Sequence, residues 1–290
     1  MDYSSAGIDL HIHSTASDGS LPPKEILNLA DRLGLRAIAL TDHDSVEGLR
    51  QLRQTAIPEN IEVLSGVEIS AAAPPAFTQS GSVHLLGYGM DIDDRELNII
   101  LDQQQQARID RTPKMIARLN DLGVPVTLSL LKEQTGNKQL GRPHLAHWML
   151  AKGYAASIDE AFERYLGKNQ AAYVEKSRIP MAEAIQLIRS AGGVAVLAHP
   201  GLIEITDEAG YEQLLVELMS MGLQGIEVYY PKHTPAQRRF FADLAERLGI
   251  LVTGGSDFHG DIDSDVMLGK GSGDLYVPYS LYESLINKLI

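Results

Sequence analysis

The chain has 290 residues, 44% of them hydrophobic, which is enough for one large α/β domain or for one domain with a sizeable insertion. It has no cysteine, so disulfides, thiolate metal ligands and cysteine nucleophiles are excluded, and His, Asp and Glu remain as metal ligands. The formal net charge of −13 argues against unspecific binding of duplex nucleic acid. A small anionic substrate, met by locally placed positive charge, is the expected partner.

The first residues carry no basic stretch followed by an apolar run, and no apolar segment approaches the length of a membrane span. We therefore expect a cytoplasmic protein that does not contact membranes, and the sequence indicates no obligate protein partner.

Short β-branched runs alternate with amphipathic segments, which is typical of βα units around a parallel sheet. Strands are predicted at 7–12, 36–41, 61–67, 83–88, 193–198, 225–229 and 250–254. Helices are predicted at 22–33, 45–55, 181–191, 210–221, 235–248 and 279–289. About seven such repeats predict a barrel-like closure of the sheet.

Residues 93–170 interrupt this alternation, because they show helical periodicity and no convincing strand. A long helix with a kink or restart at Pro113 is followed by shorter predicted helices within 142–154 and 157–167. We predict a barrel formed by residues 1–100 and 171–290, with a helical insertion domain over residues 101–170.

The segment IDLHIHSTASDG, residues 8–19, places His11 and His13 two positions apart on the first strand, so both rings face the same side. Barrel enzymes place their sites at the carboxyl ends of the strands, where two imidazoles can bind one metal ion. For an isolated His-x-His motif, a pair of hydrogen-bonded core histidines is the alternative.

The same residue types recur at most of the later strands. They stand in TDHD, GVE, VHLLG, AHP and GSDFH, as His43, Glu68, His84, His199, Asp257 and His259. With His11, His13 and Asp18 the candidates number six histidines and three carboxylates, too many for one ion. Two or three divalent ions are therefore expected, with Glu68 able to bridge two of them. Ions about 3.5–4 Å apart suit phosphoryl chemistry, because they hold phosphate oxygens and lower the pKa of bound water.

Together the motifs HxHx4D, TDHD, GxE, HLLGYG, AHPG and GSDFHG resemble the PHP (polymerase and histidinol phosphatase) family of metal-dependent phosphoesterases. The resemblance covers essentially the whole chain. It implies an α/β fold, a distorted (β/α)7 barrel, and a trinuclear site for Mn, Zn or Fe. By motif, one ion takes His11, His13, Glu68 and Asp257; a second shares Glu68 and adds His84 and His199; a third takes Asp18, His43 and His259.

The insertion, with its GRPH sequence, resembles the branch of the family that includes 3′,5′-nucleoside bisphosphate phosphatases and a 5′-to-3′ exoribonuclease. This implies basic residues that hold the substrate's other phosphate, and the matching candidates are Arg142, His144, Lys168, Lys176 and Arg178. His233 is predicted to contact the scissile phosphate or to protonate the leaving oxygen, and Glu68 and Asp257 complete the predicted catalytic residues.

The expected reaction is hydrolysis of the 3′-phosphate of a nucleoside 3′,5′-bisphosphate, giving a nucleoside 5′-monophosphate and phosphate, with short 5′-phosphorylated RNA as a related substrate. Histidinol phosphate or another small phosphomonoester is the alternative substrate. Two other classes are an amidohydrolase, which generally needs a carboxylated lysine, and a non-catalytic regulatory module, in which loss of ligands is typical.

Overall fold

Buried strands followed by amphipathic helices form most of the fold. The structure is a computed structural model that describes residues 7–80, 82–135, 140–175, 177–263 and 265–290. The strands are β1 Ile8–Ile12, β2 Ala37–Leu40, β3 Glu62–Ala72, β4 Ser82–Tyr88, β5 Ile179–Pro180, β6 Val194–Leu197, β7 Gly225–Tyr229 and β8 Leu251–Gly254. The helices are α1 Pro23–Arg32, α2 Glu47–Leu52, α3 Arg95–Asp121, α4 Leu128–Thr135, α5 Arg142–Ala151, α6 Ile158–Ala161, α7 Met181–Ser190, α8 Glu208–Met221, α9 Pro235–Leu248 and α10 Tyr279–Leu289.

The strands form one curled sheet in the order β1-β2-β3-β4-β6-β7-β8, with β5 paired to β3. Past the end of β8 the chain returns to β1, where Ile12 bridges Phe258 and the His13 amide donates to the Phe258 carbonyl at 2.9 Å. The sheet therefore curls back on itself. The predicted α/β fold with a distorted barrel is confirmed.

The parallel pairing expected from the βα pattern does not extend to β4, which runs antiparallel to both β3 and β6. In this register His84, near the start of β4, lies opposite Ser70 near the end of β3. Reversal of the strand therefore brings the beginning of β4 to the edge where the neighbouring strands end. β3 also continues past its predicted end to Ala72, because it pairs with β4 along this length.

The helices that cover the sheet bury one apolar face each. In α9, Thr234 accepts a hydrogen bond from the Gln237 amide, and the Gln237 side chain accepts one from the Thr234 amide, so two amides at the helix start are satisfied. The helix then buries Phe241, Leu244 and Ala245 in the core. Among the described residues, no helix is long and apolar enough to span a membrane.

The chain divides into two compact units, one formed by Met1–Leu101 and Arg178–Ile290 and the other by Asp102–Ser177. The second unit has its own apolar core, in which the rings of Trp148 and Tyr154 stack at 5.7 Å. Helix α3 contains Pro113 and continues to Asp121, so the chain does not restart there. Helix α4 lacked a sequence prediction of its own; in it the Thr127 hydroxyl accepts a hydrogen bond from the Leu130 amide.

Candidate metal centre

His11 and His13 project from the end of β1 and are completely buried, with ring centroids 5.2 Å apart. The segment after β8 crosses close to this end of β1, since a Cβ at Gly255 would lie 2.3 Å from the His11 amide nitrogen. Only glycine permits this approach. As a result, Asp257 Oδ1 lies 3.3 Å from His11 Nε2 and 3.1 Å from His13 Nε2.

Glu68, on β3, lies at the centre of the cluster and is almost completely buried. Its Oε1 is 2.7 Å from His84 Nδ1 and 3.0 Å from His199 Nε2. Its Oε2 is 2.9 Å from His43 Nδ1, and it also contacts the first two histidines, at 3.4 Å from His11 Nε2 and 3.2 Å from His13 Nε2. One carboxylate thus contacts five imidazoles.

Asp18 lies on the other side of His13, in the loop that follows β1. Its Oδ1 is 3.5 Å from both His13 Nδ1 and His259 Nε2, and its Oδ2 is 3.7 Å from His43 Nε2. Three carboxylates therefore contact six histidines, and the nine residues predicted as ligands lie in one cluster.

Backbone strain is concentrated in the turns that carry these residues. His199 and Asp257 have φ values of 27° and 56°, which are uncommon for residues other than glycine. Asp44, next to His43, has a φ of 52°. Such conformations cost on the order of 1–3 kcal/mol each and persist where the surrounding contacts impose them.

Three overlapping groups have donor atoms close enough to share a cation, since the atoms of each group lie within 4.8 Å of one another. The groups are His11, His13, Glu68 and Asp257; His13, Asp18, His43 and His259; and His43, Glu68 and His84. His199 belongs to none of these groups, but its Nε2 lies 3.0 Å from Glu68 Oε1.

Buried atoms without a hydrogen bond test whether metal ions fit this cluster. In the described part of the chain, the buried atoms of the cluster that lack a hydrogen bond include His11 Nε2, both ring nitrogens of His13, His43 Nδ1 and Glu68 Oε2. Unsatisfied polar atoms of this kind cost about 1–3 kcal/mol each. Nitrogen and oxygen donors that converge without hydrogen bonds suit divalent ions such as Zn, Mn and Fe.

The three carboxylates of the cluster all have lowered pKa values. Burial opposes ionisation of Glu68, but the neighbouring His43, His84 and His11 hold its pKa well below the usual range. The pKa values of Asp18 and Asp257 are lowered in the same way by histidines that outweigh burial. All three carboxylates are therefore ionised at neutral pH and attract cations.

The histidines do not titrate alike. Burial alone would lower the pKa of His13, but Asp257 and Glu68 outweigh it and raise the pKa to about 10. For His84, burial dominates over Glu68, and the nearby His43 and His199 add to it, so its pKa falls to about 4.

Buried acids behind the cluster are absent from the sequence predictions. Asp42 accepts hydrogen bonds from the amide and hydroxyl of Ser14, at 2.8 and 2.7 Å, and from the Ser17 hydroxyl at 2.6 Å. Asp9 accepts from the amide and hydroxyl of Ser256, at 2.8 and 2.5 Å. These carboxylates hold the loops that carry Asp18 and Asp257. Their sequence signal is an acid within or beside a buried strand, where an ionisable group needs a partner.

Of the five predicted phosphate-binding residues, all but Arg178 belong to the second unit. Arg142 belongs to the second unit, where its guanidinium donates to the Leu166 carbonyl at 3.5 Å and lies near the ring of Tyr173. His144, also in this unit, is buried, and its Nδ1 accepts a hydrogen bond from the Gly141 amide at the start of α5. Lys168 is exposed, Arg178 is half-buried just before β5, and Lys176 lies outside the described residues. The roles of all five in substrate binding stay predictions.

His233 is buried, and both of its ring nitrogens are hydrogen-bonded to main-chain groups. Nδ1 lies 2.9 Å from the Val228 carbonyl, and Nε2 accepts from the Gly201 amide at 3.0 Å. The ring thereby fastens the turn after His199 to the segment that ends β7. Proton transfer by this ring would require one of these bonds to open, so its catalytic role stays a prediction.

Known proteins resemble this chain along most of its length. It is 31% identical over 251 residues to a 5′-3′ exoribonuclease of Haemophilus influenzae, covering 87% of this chain and 89% of the relative. It is 32% identical over 255 residues to a 3′,5′-nucleoside bisphosphate phosphatase of Chromobacterium violaceum, covering 88% and 87%. It is also 32% identical over 254 residues to a phosphoribosyl 1,2-cyclic phosphate 1,2-diphosphodiesterase of Eggerthella lenta, covering 87% and 94%.

The fold leads to the same family. A crystal structure from Bifidobacterium adolescentis, provisionally assigned as a metal-dependent phosphoesterase, matches with a TM-score of 0.84 and 27% identity, over 98% of this chain and 96% of that one. The PHP domain model matches residues 9–290, which include all nine clustered acids and histidines. The chain therefore belongs to the PHP domain family and is a metal-dependent phosphoesterase.

Proposed function

We propose that this protein hydrolyses the 3′-phosphate of nucleoside 3′,5′-bisphosphates, and that short 5′-phosphorylated RNA is a related substrate. The observation that carries the proposal is Glu68, whose two carboxylate oxygens lie within 3.4 Å of nitrogens from five histidines. A carboxylate with ligands on both oxygens suits a bridge between cations, and several cations close together suit a phosphate ester. The relatives from Chromobacterium violaceum and Haemophilus influenzae support a nucleotide or RNA substrate.

The proposed ligand sets are those that the family resemblance implies. One ion would be held by His11, His13, Glu68 and Asp257, a second by Glu68, His84 and His199, and a third by Asp18, His43 and His259. The donor atoms agree with the first set, whereas His43 takes the place of His199 beside Glu68 and His84, and His13 joins the third set. Divalent ions bound there would neutralise phosphate oxygens and lower the pKa of water.

The residues of the chain prepare the site for these ions. Because the histidines keep the pKa values of Glu68, Asp18 and Asp257 low, the three carboxylates are ionised at neutral pH. Divalent ions bound to these carboxylates would supply the positive charge that meets the phosphate oxygens. Substrate binding should therefore depend on the cations, and chelation should abolish binding as well as turnover.

A side-by-side assay of phosphate release tests the proposed substrate. Mn²⁺-loaded protein is given adenosine 3′,5′-bisphosphate, adenosine 5′-monophosphate, histidinol phosphate and a short 5′-phosphorylated RNA. We expect the bisphosphate or the RNA to give the highest kcat/KM. A preference for histidinol phosphate would refute the nucleotide proposal and retain the phosphoesterase. Asp257→Asn should lose activity, whereas Tyr88→Phe is the matched control, because Tyr88 is buried in the same barrel and its hydroxyl donates to the Leu10 carbonyl.

A cyclic phosphodiester is the second candidate substrate, and the similarity to the diphosphodiesterase of Eggerthella lenta favours it. Opening of a cyclic diester gives a monoester without immediate release of phosphate. Phosphorus NMR of Mn²⁺-loaded protein with a ribose 1,2-cyclic phosphate therefore separates the two candidates. Ring opening faster than bisphosphate hydrolysis would make the diester the better substrate.

A further inference from the structure

We infer that the end of β7, which carries none of the predicted metal ligands, positions three of them through Glu227 and Tyr230. The inference rests on the metal site of the proposed function. Both residues are buried, at 0% and 2% exposure, and both reach the ligand cluster through side-chain hydrogen bonds.

Glu227 contacts two predicted ligands with its two oxygens. Its Oε1 lies 3.0 Å from His11 Nδ1, and its Oε2 accepts a hydrogen bond from the His199 amide at 2.7 Å. An Nδ1–H that donates to Glu227 leaves Nε2 of His11 as the metal-binding nitrogen, and this atom lies 3.4 Å from Glu68 and 3.3 Å from Asp257. A carboxylate behind a ligand histidine fixes its tautomer and ring orientation and increases its basicity.

The bond to His199 has a separate effect, because it acts on the main chain. His199 has φ 27° and ψ 60°, an uncommon conformation for a residue with a side chain. The short bond from its amide to Glu227 Oε2 helps to hold this turn, which directs the imidazole to 3.0 Å from Glu68 Oε1. Glu227 therefore fixes one ligand by its ring and another by its backbone.

Tyr230 acts on a third ligand. Its hydroxyl donates to Asp257 Oδ2 at 3.1 Å, which leaves Oδ1 facing His11 Nε2 and His13 Nε2. The Tyr230 ring also lies beside the His199 ring, with centroids 5.3 Å apart. The hydroxyl thus selects which carboxylate oxygen of Asp257 is presented to a cation.

A break in strand register accounts for the shared direction of the two side chains. In a regular strand, residues three apart point to opposite faces. The register of β7 against β8 shifts between Glu227 and Tyr229, where Glu227 pairs with Thr253 and Tyr229 with Gly254. An extra residue of this kind re-aims the side chains that follow it. Glu227 and Tyr230 can therefore both reach the cluster.

The main test compares Tyr230→Phe with Tyr88→Phe. Each substitution removes one buried hydroxyl hydrogen bond from the same barrel, but only Tyr230 bonds to a predicted ligand, since Tyr88 donates to the Leu10 main chain. Mn²⁺ affinity is measured by titration calorimetry, and the visible absorption of the Co²⁺-substituted protein is recorded. We expect Tyr230→Phe to weaken at least one ion about 10- to 100-fold and to change the Co²⁺ spectrum. Tyr88→Phe should match the wild type in both.

Glu227→Gln gives a second variant. An amide has one acceptor oxygen and a donor NH2 group, so it cannot accept from both His11 and His199. It should weaken Mn²⁺ binding at least as much as Tyr230→Phe does. If this variant does not fold, the comparison of Tyr230→Phe with Tyr88→Phe still tests the inference.

The outcomes separate this inference from the proposed function. Mn²⁺ affinity and Co²⁺ spectra in Tyr230→Phe equal to those in Tyr88→Phe would overturn the inference and leave the phosphatase proposal intact. A specific loss of affinity in a protein that hydrolyses none of the tested nucleotides would support the inference and refute the proposed substrate. A wild-type protein that binds no Mn²⁺ or Co²⁺ would overturn both.

Discussion

Metal binding to this protein should release protons, so its affinity for Mn²⁺ should rise with pH. A histidine must be neutral to bind a metal ion. The pKa of His13 is about 10, because Asp257 and Glu68 outweigh the effect of burial, and the ring is therefore protonated at pH 7. Removing that proton at pH 7 costs about 4 kcal/mol, which is three pH units at about 1.36 kcal/mol each.

Because metal binding removes this one proton, the affinity for Mn²⁺ should rise about tenfold for each pH unit between 7 and the pKa of His13. His11 makes the dependence steeper, because Glu227, Asp257 and Glu68 outweigh burial and raise its pKa well above the usual value. His84, with a pKa of about 4, contributes no proton in this range.

Calorimetric titration of Mn²⁺ at pH 6.5, 7.5 and 8.5, in pairs of buffers with different ionisation enthalpies, gives both the affinity and the number of protons released. We expect one or more protons per cluster and a binding constant that rises with pH. Heats that do not depend on the buffer, together with a constant affinity over these two units, would refute the reasoning.

Three substitutions test other parts of the molecule. Asp42→Ala leaves an amide and two hydroxyls of the loop after β1 without their buried acceptor. Urea denaturation should therefore show a free energy of unfolding lowered by about 3 kcal/mol. A decrease below about 1 kcal/mol would contradict the assigned role. Gly255→Ala places a Cβ 2.3 Å from the main chain of β1 and should abolish high-affinity Mn²⁺ binding, whereas Gly141→Ala, whose Cβ would have no neighbour closer than 3.8 Å, should have no effect. Arg142→Ala should raise KM for a nucleoside bisphosphate but not for a monophosphate. Arg164→Ala, which removes an exposed arginine of the same unit, is the control. Equal KM values for the bisphosphate in the two variants would exclude the predicted phosphate contact.

For most of the nine clustered side chains, the sequence prediction follows from local rules. Two residues two positions apart on a strand share a face, as His11 and His13 do. Residues that follow neighbouring strands converge, as Asp257 after β8 does beside His11 and His13. The alternation of strands and helices likewise predicted the α/β barrel, because it depends on hydrophobic periodicity along the chain.

Only the tertiary structure decided the direction of β4 and the partners of the buried polar groups. His84 reaches Glu68 because β4 is antiparallel to its neighbours, a property of pairing that no local pattern specifies. Glu227 contacts His11 across 216 positions of sequence, and the register shift in β7 accompanies the approach of Tyr230 to Asp257. Such contacts depend on strand register and on close packing between distant segments, whereas periodicity reports only which face of its own element a residue occupies.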